Sequence, residues 1–179
     1  MYINAGGGAP ANPLESDLYS FQLNAFSSIP NPPNTPEPTV IFSHDERGFV
    51  DSHGMSLTKN ERFLWVVDRA ANRIVVVRTE DSSVINEIDL VGEASADPAP
   101  DLLERSPSGS FMFMALRGPN PLTANVAGIN NAVGATPGLG ILKVKSGGKN
   151  GVFRAVVPIS HVVSGVERAD PHGIAIRVK

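Results

Sequence analysis

Two histidines stand in one recurring phrase, Asp51-Ser52-His53-Gly54 and Asp170-Pro171-His172-Gly173, and each phrase opens a run of alternating apolar residues. An imidazole can ligate a metal or carry a proton near neutral pH, and a neighbouring carboxylate can share that metal or orient the ring. A shift of 48 residues lays His53 on Asp101. His53, Asp101 and His172 are therefore candidate ligands for a divalent metal such as zinc, manganese or iron, with proton transfer as a second chemistry for the same groups. The competing reading is structural. Each Asp would cap its own turn, each His would donate to a backbone carbonyl, and Gly54 and Gly173 would serve close packing or an unusual backbone angle. No motif demands a cofactor, so a divalent metal is the one the residues themselves suggest.

These residues must be positioned by short strands. Gly54 to Leu57, Arg62 to Val67, Arg73 to Val77 and Val84 to Leu90 are β-branched or aromatic runs with period-2 patterning, and turn-forming residues separate them. The turns are Lys59-Asn60-Glu61, Asp68 to Asn72 and Glu80 to Ser83. Together they predict a four-stranded antiparallel meander. The 48-residue shift then carries Lys59 to Val66 onto Pro107 to Met114, so that turn meets turn, Phe63 meets Phe111 and Trp65 meets Phe113. A second meander is expected from Asp101 to Arg105, Ser110 to Leu116, Leu139 to Val144 and Val152 to Ile159, with a Gly/Pro/Asn-rich insertion at 117–138.

The chain thus reads as an all-β repeat protein, an incomplete β-propeller built of four-stranded meander blades. Residues 1–50 form a partial blade, with strands at Met1 to Asn4, Asp17 to Leu23 and Thr39 to Phe42 and a proline-rich connection, Pro30 to Pro38. Complete blades follow at 51–98 and 99–160, and 161–179 is expected to supply the first strand of another. Repeat modules bury their apolar faces against neighbours, so the expected partners are further blades of a longer chain or a second copy that closes the ring.

Meander topology gathers certain connections on one face: the two Asp-x-His-Gly phrases, Ala5 to Ser16 with Gly6-Gly7-Gly8, Asp68 to Asn72, and the 117–138 loop. Loops on a rigid scaffold commonly carry binding chemistry. Arg69, Asn72, Arg117 and Asn120 on this face are candidates for holding an anionic or polar ligand, and His44 and His161 are expected as solvated loop residues. Gly6-Gly7-Gly8 lacks the lysine and following helix of a phosphate-binding loop, and no Gly-x-Ser-x-Gly phrase marks a serine nucleophile.

Ser56 to Val77 resembles the YVTN-type β-propeller repeat. Trp65-Val66-Val67-Asp68 stands where that family has its signature tetrapeptide, Ser106-Pro107-Ser108-Gly109 is similar to its turn, and Asn72-Arg73-Ile74-Val75-Val76-Val77 is similar to its third strand. The resemblance runs over roughly Asp51 to Lys179. It implies a propeller fold and leans toward an exported location, although no signal peptide is visible. It leaves function open, because such propellers include oxidoreductase domains, lactonases and surface-layer proteins.

Composition narrows the rest. The 179 residues are 41% hydrophobic and carry a formal charge of −3, with only 6% aromatic residues, which is not the basic footprint of a nucleic-acid binder. No apolar run has the length of a membrane span. Without cysteine there is no disulfide, thiolate ligand or cysteine nucleophile. The expected function is a non-enzymatic binding or scaffold module that uses its loop-rich face to hold a small ligand or a protein. The alternative is a metal-dependent lactonase or oxidoreductase built on the His/Asp residues.

Overall fold

A period-2 apolar run becomes a strand where a neighbouring edge can take its N–H and C=O groups. The computed structural model describes residues 1–6, 15–26, 36–43, 51–123 and 125–177, and the expectations for Gly7-Gly8, His44 and Pro30 to Thr35 lie outside the described residues. The chain divides into two compact units, Met1–Ser52 and His53–Lys179.

The first unit holds three antiparallel strands in the order β1 (Tyr2–Gly6), β2 (Ser16–Ser20) and β3 (Thr39–Phe42). Leu18 pairs with Phe42 across β2 and β3, and both side chains are fully buried. Ser52 closes this unit: its N–H donates to Ser16 Oγ at 2.7 Å, and its hydroxyl accepts from Asn4 Nδ2 at 3.0 Å.

Two four-stranded meanders make up most of the second unit. One runs through β4 (Ser52–Leu57), β5 (Phe63–Asp68), β6 (Arg73–Arg78) and β7 (Val84–Asp89) in that spatial order. The other has β8 (Pro100–Arg105), β9 (Phe111–Leu116), β10 (Gly138–Lys145) and β11 (Asn150–Pro158). Tight turns use left-handed backbone at Glu61, Asn72, Ser82 and Gly109. Among the described residues there is no α-helix, hence no helix long and apolar enough to cross a membrane, and the sheets close no barrel. The architecture is all-β, an incomplete β-propeller whose blades are antiparallel meanders.

The blades pack face to face. Phe63, Trp65 and Val67 of β5 and Ile74 and Val76 of β6 share one core with Met112, Met114 and Leu116 of β9 and Leu142 of β10. Trp65 is fully buried, its Nε1–H donates to Gly148 O at 2.8 Å, and its ring leaves no room for a side chain at Gly151. One repeat later the corresponding face is half-open. Phe111 and Phe113 stack with centroids 6.3 Å apart and lie beside Ile141 on a partly solvated surface.

Past β11 the chain differs from expectation. A short hairpin, β12 (Val162–Val163) with β13 (Val166–Glu167), occupies the start of the last segment, and residues 168–177 belong to no sheet. The alternation still shapes burial, since Ile174 and Ile176 are half-buried while Gly173 and Ala175 are exposed. The described residues of the 117–138 insertion are joined by several hydrogen bonds of their own. Ile129 and Asn130 N–H donate to Val126 O, Val126 N–H donates to Asn131 Oδ1, and Ala132 is fully buried.

Candidate functional site

The first strands of the two blades approach closely because Gly54 has no side chain. A Cβ there would lie 2.7 Å from Asp101 O and 2.7 Å from Leu102 Cα. This contact sets His53 on β4 beside Asp101 on β8. Gly173, in the second phrase, faces open space, so the two glycines do different work. The 48-residue shift that aligns His53 with Asp101 also aligns Arg69 with Arg117, and each arginine turns inward just past the second strand of its blade.

Asp101 is the hub. Its Oδ1 lies 2.7 Å from His53 Nδ1, an ion-pair approach that is not aligned as a hydrogen bond. Its Oδ2 accepts from Arg117 Nη1 at 2.8 Å, lies 2.8 Å from His172 Nδ1, and has Arg69 Nη1 at 3.4 Å. Arg117 spends its other donors on Asp170 and on the long loop. Nε donates to Asp170 Oδ1 at 2.5 Å, and Nη2 donates to Asp170 Oδ2 at 2.9 Å and to Thr123 O at 2.8 Å. Leu122 N–H also donates to Asp170 Oδ2, at 2.9 Å. His172 Nδ1 lies 2.8 Å from Asp101 Oδ2 and 3.4 Å from Arg117 Nη1, and its Nε2 is hydrogen-bonded to the Thr123 hydroxyl at 2.8 Å.

Asp101, Arg69 and Arg117 have side chains no more than 1% exposed, whereas His53 and His172 are 29% and 41% exposed. Burial alone would raise the Asp101 pKa. The His53 contact and charge, the Arg117 hydrogen bond and the Arg69 charge more than reverse that and hold it below the usual carboxylate value. Two guanidinium groups balance two carboxylates, which is how buried charge becomes tolerable.

His53, Asp101 and His172 do meet, as the sequence pattern suggests, but as an ion-paired network. Both Nδ1 atoms are turned onto a carboxylate that two guanidinium groups already share. Among the described residues no group of three or more His, Cys, Asp or Glu side chains is placed to hold a metal ion. Arg69 and Arg117 lie at the centre of the network. Asn72 and Asn120 are tied elsewhere: Asn72 Nδ2 donates to Asp97 Oδ1 at 2.8 Å and its Oδ1 accepts from Ala99 N–H at 2.7 Å, while Asn120 Nδ2 donates to Glu167 O at 3.0 Å. His161 is exposed. The pairing of Asp170 with Arg117 and the Thr123 hydroxyl were not anticipated. Thr123 had no sequence signal, whereas the 48-residue shift could have marked Arg69 and Arg117 as equivalent.

No family model matches this chain, and no curated protein matches it. Solved structures similar to it include hydrazine synthase from Kuenenia stuttgartiensis, with a TM-score of 0.45 and 14% identity over 82% of this chain and 34% of that one. A 6-phosphogluconolactonase-like protein from Bacteroides uniformis is similar at a TM-score of 0.47 and 12% identity, over 84% of this chain and 38% of that one. The chain therefore spans little more than a third of the length of either.

Proposed function

We propose that this chain is a binding module of a β-propeller, of YVTN-like repeat type, that presents its loop-rich face to a small ligand or a protein. The observation that carries this reading is Arg117. Fully buried, it joins the inner strand through Asp101, the segment after β13 through Asp170, and the long loop through Thr123 O. A cation with all these contacts fixes loop geometry, and a fixed loop face loses little entropy when it binds. Further blades packing on the open Phe111/Phe113 face complete the same reading.

One observation favours an enzyme instead. Thr123 Oγ1 is hydrogen-bonded to His172 Nε2 at 2.8 Å, and His172 Nδ1 lies 2.8 Å from the buried Asp101 carboxylate, an order of hydroxyl, imidazole and carboxylate like that of an activated nucleophile. In such a site the hydroxyl proton would pass to His172 Nε2 as Thr123 Oγ1 attacked an acyl carbon. A fluorophosphonate probe followed by peptide mass spectrometry separates the two. The binding reading expects no label on Thr123 and no lactone hydrolysis, with or without added zinc or manganese. A label on Thr123 that disappears in Thr123→Val and His172→Gln would overturn it in favour of nucleophilic catalysis. Metal-dependent turnover lost in the His53→Ala/His172→Ala double variant would overturn it in favour of a metal enzyme.

A further inference from the structure

The sequence has a single Asn-Gly pair, Asn150-Gly151, and it stands where β11 begins, in the second blade. In such a pair the main-chain nitrogen reaches the preceding side chain most easily, because glycine puts no Cβ in the way of the five-membered ring that would result. A ladder hydrogen bond suppresses that reaction by holding the proton on the nitrogen. Gly151 is outside the ladder.

β10 and β11 pair Lys145 with Asn150 and Val144 with Gly151. Val144 N–H donates to Ser110 O at 2.9 Å, on the β9 side, so Val144 and Gly151 are a pair that exchanges no ladder bonds. Gly151 N–H therefore points away from β10. No strand pairs beyond β11 in its sheet among the described residues, and the acceptor that Gly151 N–H meets is Asn150 Oδ1, at 2.7 Å.

That contact also places the reacting atoms. Asn150 Cγ is one bond from Oδ1, and once Gly151 N loses its proton, the lone pair lies where the N–H bond lay, directed at the side-chain carbonyl. Asn150 is exposed, so water and hydroxide reach it. Gly151 is buried, and a Cβ there would lie 2.6 Å from Trp65 Cη2.

We propose that Asn150 is a site of spontaneous deamidation and isomerisation. Gly151 N gives its proton to hydroxide and attacks Asn150 Cγ. The N–Cγ bond forms, the Cγ–Nδ2 bond breaks, and Nδ2 takes a proton from water and leaves as ammonia. Water then opens the cyclic imide at either carbonyl. One opening leaves an aspartyl residue in the original main chain, and the other leaves an isoaspartyl residue whose main chain runs through Cγ and is one methylene longer. The net change is water for ammonia, with no oxidant or reductant. The longer main chain shifts Gly151 against the Trp65 ring, so the isoaspartyl form loosens the blade core. The reaction is independent of the loop-rich face.

The test ages the full chain at mildly alkaline pH, digests it with trypsin at mildly acidic pH and follows the peptide Asn150–Arg154 by mass spectrometry. The expected result is an aspartyl and an isoaspartyl form of that peptide, arising at least as fast in the folded chain as in guanidinium chloride. Asn150→Gln, whose side chain is one methylene too long for the five-membered ring, should abolish both. The aged chain should melt about 2–4 °C below Asn150→Asp, which has the same charge on the original main chain. Conversion more than about tenfold slower in the folded chain than in the unfolded one overturns the proposal, since the fold would then be protecting the nitrogen. A fully converted chain that melts with Asn150→Asp overturns the effect on Trp65.

Discussion

Arg117 and Asp170, 53 residues apart in the chain, meet through two hydrogen bonds, Nε to Oδ1 at 2.5 Å and Nη2 to Oδ2 at 2.9 Å. The pair ties the end of β9 to the segment after β13, and Arg117 Nη1 continues the link to Asp101 at 2.8 Å. A planar guanidinium can make all these contacts at once, and an ammonium cannot.

Replacing Arg117 therefore tests the network directly. Arg117→Ala leaves Asp101 and Asp170 short of their main counter-charge and should cost about 3–5 kcal/mol in urea unfolding. Arg117→Lys keeps the charge but loses the paired contact, so it should fall between the two. Equal stability of Arg117→Lys and the parent would mean that charge alone matters.

The two glycines of the repeated phrase should respond differently. Gly54→Ala drives a methyl group into β8 backbone atoms 2.7 Å away and is expected to cost about 1–3 kcal/mol. Gly173→Ala meets nothing within 4 Å and should stay within about 0.5 kcal/mol of the parent. Thermal melts of the two variants decide it, and equal losses would refute the close approach of β4 and β8.

That contrast shows what the sequence could express. The strands of both meanders were legible to within about two residues because each has local alternation and a bounding turn, as at Arg73–Arg78 or Phe111–Leu116. The meeting of His53 with Asp101 was legible through the repeat shift. What the shift could not convey was which groups satisfy which. A His, Asp and His set looks alike as a metal cage and as an ion-paired hub until the neighbouring arginines are placed. The Ile174/Ile176 alternation likewise predicts a strand, but whether it joins a ladder depends on an edge that no local pattern encodes. The shared Asp-x-His-Gly pattern gave Gly54 and Gly173 the same standing, although only Gly54 has a backbone pressed against it.

Trp65 carries the blade interface. Trp65→Ala should cost about 3–5 kcal/mol, because a fully buried indole leaves a cavity lined by Ile88 and the Gly151 backbone. Trp65→Phe keeps most of the volume and forfeits the Nε1–H bond to Gly148 O, so it should cost less. Chemical denaturation followed by circular dichroism measures both.

Acid should loosen the segment after β11 before the core. Glu167 accepts from the Ser160 hydroxyl and from the His161 and Ala169 N–H groups, which together lower its pKa from 4.5 to about 2. A depressed carboxylate stabilises the fold above its ordinary value, and the contribution disappears as pH falls from about 4.5 toward 2. Amide exchange at His161 and Ala169 should therefore accelerate over that window once intrinsic rates are divided out. In Glu167→Gln the pH dependence should vanish.

The open face of the second blade supplies the last test. Phe63 and Trp65 are 2% and 0% exposed because Met112, Met114 and Leu142 cover them. Phe111 and Phe113 occupy the same repeat positions with Ile141 beside them, while Val152 and Val157, at 40% and 49% exposed, flank them on β11. An apolar surface of this kind favours association, since covering it removes area from water at about 25 cal/mol per Å². Light scattering on the chain at about 50 µM should detect oligomers. Phe113→Glu, which places a charge at the centre of the patch and disturbs no core contact, should return them to monomer. A parent chain that stays monomeric at that concentration would show that this face does not take a second copy.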